Sequence, residues 1–191
     1  MTNASNTVPD FFKDNSENLD HEIMLDYFLG WTLRCAVNTN PDLKLRNESK
    51  KILSFLLFKG QEMFEVKSVE TWKQWKRMDL CAEVVINRNG NDEEYAILFE
   101  NKMYTHTHSN QLERYKEIFE KFYLNKNNDT TKYTTKYFFL TCLYKEADYL
   151  SDKIECEKVG FDFLSFGWIK TNSEIVETGN YLFDEFWFRY W

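Results

Sequence analysis

A change of hydrophobic period in the middle of this chain constrains its fold more than any other feature. Between Gln61 and Lys102 the apolar residues leave helical spacing and fall into three short runs rich in Val, Ile, Phe and Tyr. The runs are Gln61 to Thr71, Leu80 to Asn87 and Glu94 to Lys102, and the last two flank Arg88-Asn89-Gly90-Asn91. Asn-Gly suits a two-residue hairpin turn because both of its positions need positive φ. Helical spacing surrounds these strands. Leu25, Phe28, Leu29, Trp31 and Leu33 predict a first helix over His21 to Ala36, capped by Asp20. Ile52, Leu53, Phe55, Leu56 and Leu57 predict a second over Glu48 to Phe58, stopped by Gly60. Leu112, Tyr115, Ile118, Phe119 and Phe122 predict a third over Ser109 to Tyr123, then a polar loop from Asn125 to Thr131 and a fourth strand from Lys136 to Tyr144. The aromatic stretches Phe161 to Ile169 and Tyr181 to Trp191 read as a short segment and a final helix closing the core. A hairpin followed by a helical crossover to a further strand specifies an α/β fold: a mixed sheet of about four strands with helices on both faces.

Composition agrees with one compact unit. The 191 residues are 43% hydrophobic and 18% aromatic with only 2 Pro and 6 Gly, which excludes disordered and collagen-like chains. Residues 1–19, rich in Asn, Asp and Ser, are expected to form a flexible arm, and 20–191 a single domain. The net charge of −7 excludes a polybasic protein that holds nucleic acid by bulk electrostatics. That charge is uneven: residues 1–43 hold 2 basic and 7 acidic side chains, residues 145–191 hold 5 and 10, and the central stretch 44–144 holds 17 and 14. A central net of +3 suits contact with a polyanion, and ordinary surface solvation accounts for it equally well. The longest apolar run, Ile52 to Phe58, is interrupted by Ser54 and falls far short of the roughly 20 residues that cross a bilayer. The polar, acidic N-terminus lacks the pattern of a signal peptide. Cys35, Cys81, Cys142 and Cys156 form no C-x-x-C pair and read as reduced, buried thiols, so a cytoplasmic location is expected.

Charges appear where the apolar strands end. Asp79 opens the second strand, and Glu100-Asn101-Lys102 ends the third. Alternate residues of a strand share a face, so Glu100 and Lys102 project together while Asn101 points away, and the hairpin brings Asp79 opposite them. Two carboxylates and one ammonium then meet at one sheet edge. Hard oxygen ligands suit Mg²⁺, and a lysine beside such an ion serves the attacking water or the charge that builds during in-line displacement at phosphorus.

With this arrangement the sequence resembles the PD-(D/E)XK nuclease superfamily, whose fold is restriction-endonuclease-like. Asp79 matches the first acidic residue of the motif, Glu100 the second and Lys102 the lysine; Met78 stands where the proline would be. Gln111 to Tyr115 resembles the Q-x-x-x-Y element of the RecB-like branch, and Glu22 the helix-borne acidic ligand of that branch. Leu140-Thr141 also fits the pattern. The resemblance spans residues 20 to 145. It implies a Mg²⁺-dependent nuclease, with Mn²⁺ as substitute, that hydrolyses phosphodiester bonds, in DNA rather than RNA. Asp79, Glu100 and Glu22 would hold metal, Lys102 would serve the water and transition state, and Gln111 would position the helix or the lysine. The alternative is a catalytically inactive nucleic-acid- or protein-binding module with the same fold.

Other side chains carry weaker signals. His106-Thr107-His108 offers two imidazoles without a third zinc ligand, and reads better as a loop facing the substrate phosphate. Glu70 is either a supporting carboxylate or a solvated strand residue. Trp72, Lys73, Trp75, Lys76 and Arg77 mix aromatic and basic character as nucleic-acid contacts do, while core packing is the more frequent use of tryptophan. No phosphate-cradling glycine motif and no G-x-S-x-G is present.

Overall fold

The computed structural model describes residues 21–60, 62–103, 105–107, 110–127, 132–142 and 149–189. The expected arm, residues 1–19, lies outside them, as do Asp20, Gln61, His108, Ser109 and Tyr144. The order is α1 (His21–Cys35), α2 (Leu43–Phe58), β1 (Glu65–Trp75), β2 (Met78–Arg88), β3 (Asn91–Lys102), α3 (Gln111–Lys126), β4 (Tyr133–Thr141), α4 (Leu150–Val159), β5 (Asp162–Ser165), α5 (Phe166–Asn172) and α6 (Tyr181–Phe188). One sheet runs β1-β2-β3-β4-β5; β1, β2 and β3 are antiparallel neighbours, whereas β3, β4 and β5 run parallel.

Strand alternation builds two cores. Leu80, Ala82 and Val84 of β2, Ile97 and Phe99 of β3, and Phe138 and Leu140 of β4 face α1, α2, α5 and α6. Cys81, Ala96, Leu98, Tyr137 and Phe139 face α3 and α4. The inner strands therefore read as nearly continuous apolar runs, as strands covered on both faces do.

The sheet has five strands where the sequence suggests about four, because β5 is only four residues long, too short for a period-2 pattern to declare itself. Its last residue, Ser165, also caps α5, accepting from the Trp168 N–H at 3.0 Å. Helix α4 has no counterpart in the sequence pattern: only Asp152 and Cys156 of its ten residues are buried, so it shows no apolar stripe. Helix α2 starts at Leu43, five residues before the expected Glu48, because Asp42 caps it by accepting from the Leu45 N–H at 3.0 Å. It ends with Lys59, and not Gly60, in the left-handed conformation at φ 58°.

Two hairpin turns of equal length contrast. Arg88 pairs with Asn91 across Asn89 and Gly90, which take φ of 56° and 84° with the residues such a turn favours. Trp75 pairs with Met78 across Lys76 and Arg77, which take φ of 54° and 71°. Left-handed backbone at such side chains costs on the order of 1 kcal/mol each.

The C-terminal aromatics hold α1 in place. Phe186 stacks on Phe28 of α1 at 3.8 Å between ring centroids and packs edge-on against Phe166, while the fully buried Trp187 lies against Phe166, Phe183 and Phe186. Among the described residues the Trp187 indole N–H has no hydrogen-bond partner. Trp187→Ala should therefore destabilise the protein by about 3–5 kcal/mol in urea denaturation followed by circular dichroism. Trp187→Phe should cost clearly less, since it deletes no hydrogen bond; equal losses would show that the N–H matters.

Candidate active site

Strand register creates the site. Leu80 of β2 pairs with Phe99 of β3, so Asp79 and Glu100 are the next neighbours along the same ladder. The Asn101 N–H donates to Asp79 Oδ2 at 3.0 Å and holds that carboxylate against the strand end. Glu100 and Lys102 share the α3 face, as their spacing requires. Lys102 Nζ lies 2.8 Å from Glu100 Oε1, 4.0 Å from Asp79 Oδ2 and 3.8 Å from Glu22 Oε2 on α1. Gln111, the first residue of α3, donates from Nε2 to Glu100 Oε1 at 2.5 Å and lies 3.4 Å from the hydroxyl of Tyr115, one turn on. Asp79, Glu100, Lys102, Gln111 and Glu22 thus meet at one edge of the sheet. Thr141 on β4 pairs with Lys102 and is buried there.

Further residues join this group that sequence reasoning passes over. Asn101 points to the opposite face, where its Nδ2 donates to Asp26 Oδ1 of α1 at 2.5 Å; Asp26 is 2% exposed. The available signal is the i, i+4 spacing of Glu22 and Asp26, which places both on one side of α1. Glu22 also braces the chain after β3, its Oε1 accepting from the Met103 N–H at 3.2 Å and the Thr105 hydroxyl at 2.6 Å. From the other side, the Tyr149 hydroxyl donates to the Met103 carbonyl at 3.0 Å. Asp152 of α4, almost fully buried, accepts from the Thr107 N–H at 2.8 Å and lies 2.7 Å from His106 Nδ1. His106 is therefore held by a carboxylate; His108, its expected companion, lies outside the described residues.

Two candidates fall elsewhere. Glu70 is exposed on β1 opposite Glu83, away from Asp79. Trp75 packs on Phe119 and Phe122 of α3, with centroids 6.4 and 4.8 Å away, and Trp72 packs against the same cluster. Their use is packing. Lys76 and Arg77 stay exposed at the turn.

Among the described residues, no three His, Cys, Asp or Glu side chains form a ready-made metal cage, and Lys102 stands between Glu22, Asp79 and Glu100. The donors nevertheless suit a hard cation. Among the described residues no N–H or O–H donor reaches the fully buried Glu100 Oε2 while Gln111 and Lys102 occupy Oε1, and the Glu100 and Asp79 carboxyls lie close enough to share one proton or one cation.

The electrostatics match that proximity. Burial, reinforced by Asp79, pushes the Glu100 carboxyl up to about 8, against the pull of Lys102. Burial raises Asp79 as well, opposed by the Lys102 charge and the Asn101 N–H. Burial and then Asp79 push Asp26 up to about 7. Burial by itself would lower Lys102, but Glu100 overrides it and the ammonium is held above its ordinary value.

Carboxyls raised on folding bind more protons in the native state than in the unfolded one, so they oppose folding once ionised. For Glu100 the window runs from the ordinary 4.5 up to about 8. Metal-free protein should therefore lose stability as pH rises through that window, and Glu100→Gln should flatten the fall. Urea denaturation at a series of pH values checks this; a stability that rises with pH in both proteins would contradict it.

A sequence model of the PD-(D/E)XK nuclease superfamily matches residues 10–184. No curated protein and no solved structure matches the chain. The matched span extends past residues 20 to 145 at both ends, taking in α4, β5, α5 and the start of α6. It contains the whole sheet and every side chain gathered at its edge, and the chain belongs to the PD-(D/E)XK nuclease superfamily.

Proposed function

We propose that this protein is a divalent-metal-dependent nuclease that hydrolyses phosphodiester bonds in DNA. The observation that carries the reading is the buried Glu100 carboxyl set against that of Asp79, its Oε2 met by no N–H or O–H donor among the described residues while Lys102 and Gln111 hold the other oxygen. Asp79 and Glu100 would hold Mg²⁺, or Mn²⁺ in its place; Glu22 can add only Oε2, since Met103 and Thr105 engage Oε1. Such an ion, when bound, polarises a phosphate oxygen and makes bound water a better nucleophile. Lys102 orients the attacking water and offsets charge at the phosphorane. Gln111 keeps the Glu100 carboxylate turned so that Oε2 faces the site. Its 3.4 Å contact with Tyr115 supports reading Gln111 to Tyr115 as the Q-x-x-x-Y element of the RecB-like branch.

Residues 20–191 act as one domain in this reading, since both cores share one sheet. Four buried, unpaired cysteines are in keeping with a cytoplasmic setting, and among the described residues no helix is long and apolar enough to cross a membrane. The competing reading, an inactive binding module, is favoured by one feature: the Lys102 ammonium already lies among the carboxylates a metal would use.

Incubation with plasmid, linear and single-stranded DNA, with and without Mg²⁺ or Mn²⁺, separates the two. Cleavage that requires the metal and is abolished in Asp79→Ala and Glu100→Ala is the expected outcome. Lys102→Ala should lower the rate by a factor on the order of 10² to 10⁴ while calorimetry still detects metal binding. A folded wild type that binds no divalent ion and cleaves nothing would leave the binding module standing.

A further inference from the structure

The hairpin turn that precedes Asp79 carries a charge pair the proposed chemistry does not use. Lys76 and Arg77 are exposed, and neither makes an ion pair, hydrogen bond or ring contact among the described residues. Both hold left-handed backbone, as does Gln74 at φ 57° on the strand leading in. The Asn89-Gly90 turn shows which residues this geometry favours, and Asn-Gly at positions 76 and 77 would serve solvation equally well. Backbone cost is retained here together with two cations. Strain of this kind, coupled to unused charge, points from conformation to function.

Place and rigidity say which function. Arg77 is two residues from Asp79, and the Gln74 amide lies 3.5 Å from Asp79 Oδ1, so the turn folds back on the site. Trp75, wedged against Phe119 and Phe122, roots the turn on α3. The neighbouring Lys73 is engaged, its ammonium 3.4 Å from the centroid of the exposed Tyr27 ring. Glu22, Asp26, Asp79 and Glu100 gather at the sheet edge where Asp79 sits, in a chain of net charge −7. A polyanion drawn to this edge meets the charge of these carboxylates, which exposed cations at such a turn offset.

We infer that Lys76 and Arg77 grip the phosphodiester backbone of the nucleic acid flanking the bond to be cut. The inference rests on the nuclease reading and deepens it. Arg77 offers a planar fork that two phosphate oxygens can fill and Lys76 a single compact charge, so the grip is independent of base sequence.

The test is the double variant Lys76→Asn with Arg77→Gly, which supplies the residues the turn favours and so keeps the hairpin. A charge-matched control, Lys158→Asn with Lys170→Asn, removes two cations from α4 and α5, beside β5 at the opposite sheet edge from β1. Binding to a labelled duplex is followed by fluorescence anisotropy in Ca²⁺, so that no turnover is needed. The turn variant should melt at the same temperature as wild type or higher, and bind at least about tenfold more weakly. Its slope of log K against log salt should be shallower by about 1 to 2, at roughly 0.9 for each phosphate that the turn no longer neutralises. The control should stay within about twofold of wild type. Equal affinity and slope in wild type and turn variant, with wild type binding and cleaving DNA, would overturn this inference alone. A wild type that neither binds nor cleaves nucleic acid would overturn it together with the nuclease reading.

Discussion

The ladder between β2 and β3 is the constraint on which the site depends. Asp79 and Glu100 come from strands joined by a hairpin, and their adjacency follows from the pairing of Leu80 with Phe99, locked at the end by the Asn101 N–H on Asp79 Oδ2. A slip of one residue would turn every side chain of a strand to the other face. Glu100 and Lys102 would leave the α3 face, and Phe99 would leave the core against α1. The cost of that exchange makes the apolar alternation of the hairpin the guardian of the charged end, and Asn89-Gly90 sets the register from the other end.

The remaining side chains arrive on helices that the sheet does not by itself position. Helix α1 brings Glu22 and Asp26, and it is held by the stack of Phe28 on Phe186 from the C-terminal helix. Helix α4 brings Asp152, which ties down the segment immediately after Lys102. Residues far apart in sequence thus converge on Met103 to Thr107, with Glu22 on one side and Tyr149 and Asp152 on the other. Through Phe28 the aromatic C-terminus also steadies the helix that carries Glu22.

The same edge works against folding. Carboxyls of Asp26, Asp79 and Glu100 are pushed upward chiefly because they are buried, and Lys102 answers Asp79 and Glu100 while Lys73 answers Asp26. A molecule selected for stability alone would not bury acids in this way, nor place Lys-Arg on left-handed backbone next to them. Both departures meet at Asp79, through its ladder to Glu100 and through the turn that ends two residues before it.

Much of this is legible in the chain. Period-2 runs, the Asn-Gly turn and the helical stripes specify a mixed sheet with helices on both faces, and the i, i+2 spacing puts Glu100 and Lys102 on one side. Family resemblance points to Glu22 and Gln111, which no local pattern would select. What stays hidden has weak local signals: β5 is too short to alternate, α4 buries only two residues, and Lys59 ends α2 in a conformation that composition assigns to Gly60. Asp26 and Asp152 escape sequence reasoning because a carboxylate's burial depends on what packs over it. The sequence by itself determined the hairpin of β2 and β3 and the charges at its ends, since alternation and turn chemistry are local. Only the tertiary structure decided which carboxylates are buried, which oxygen of Glu100 is left without a donor and which cations remain unengaged, because those depend on contacts between residues as far apart as Asp26 and Asn101.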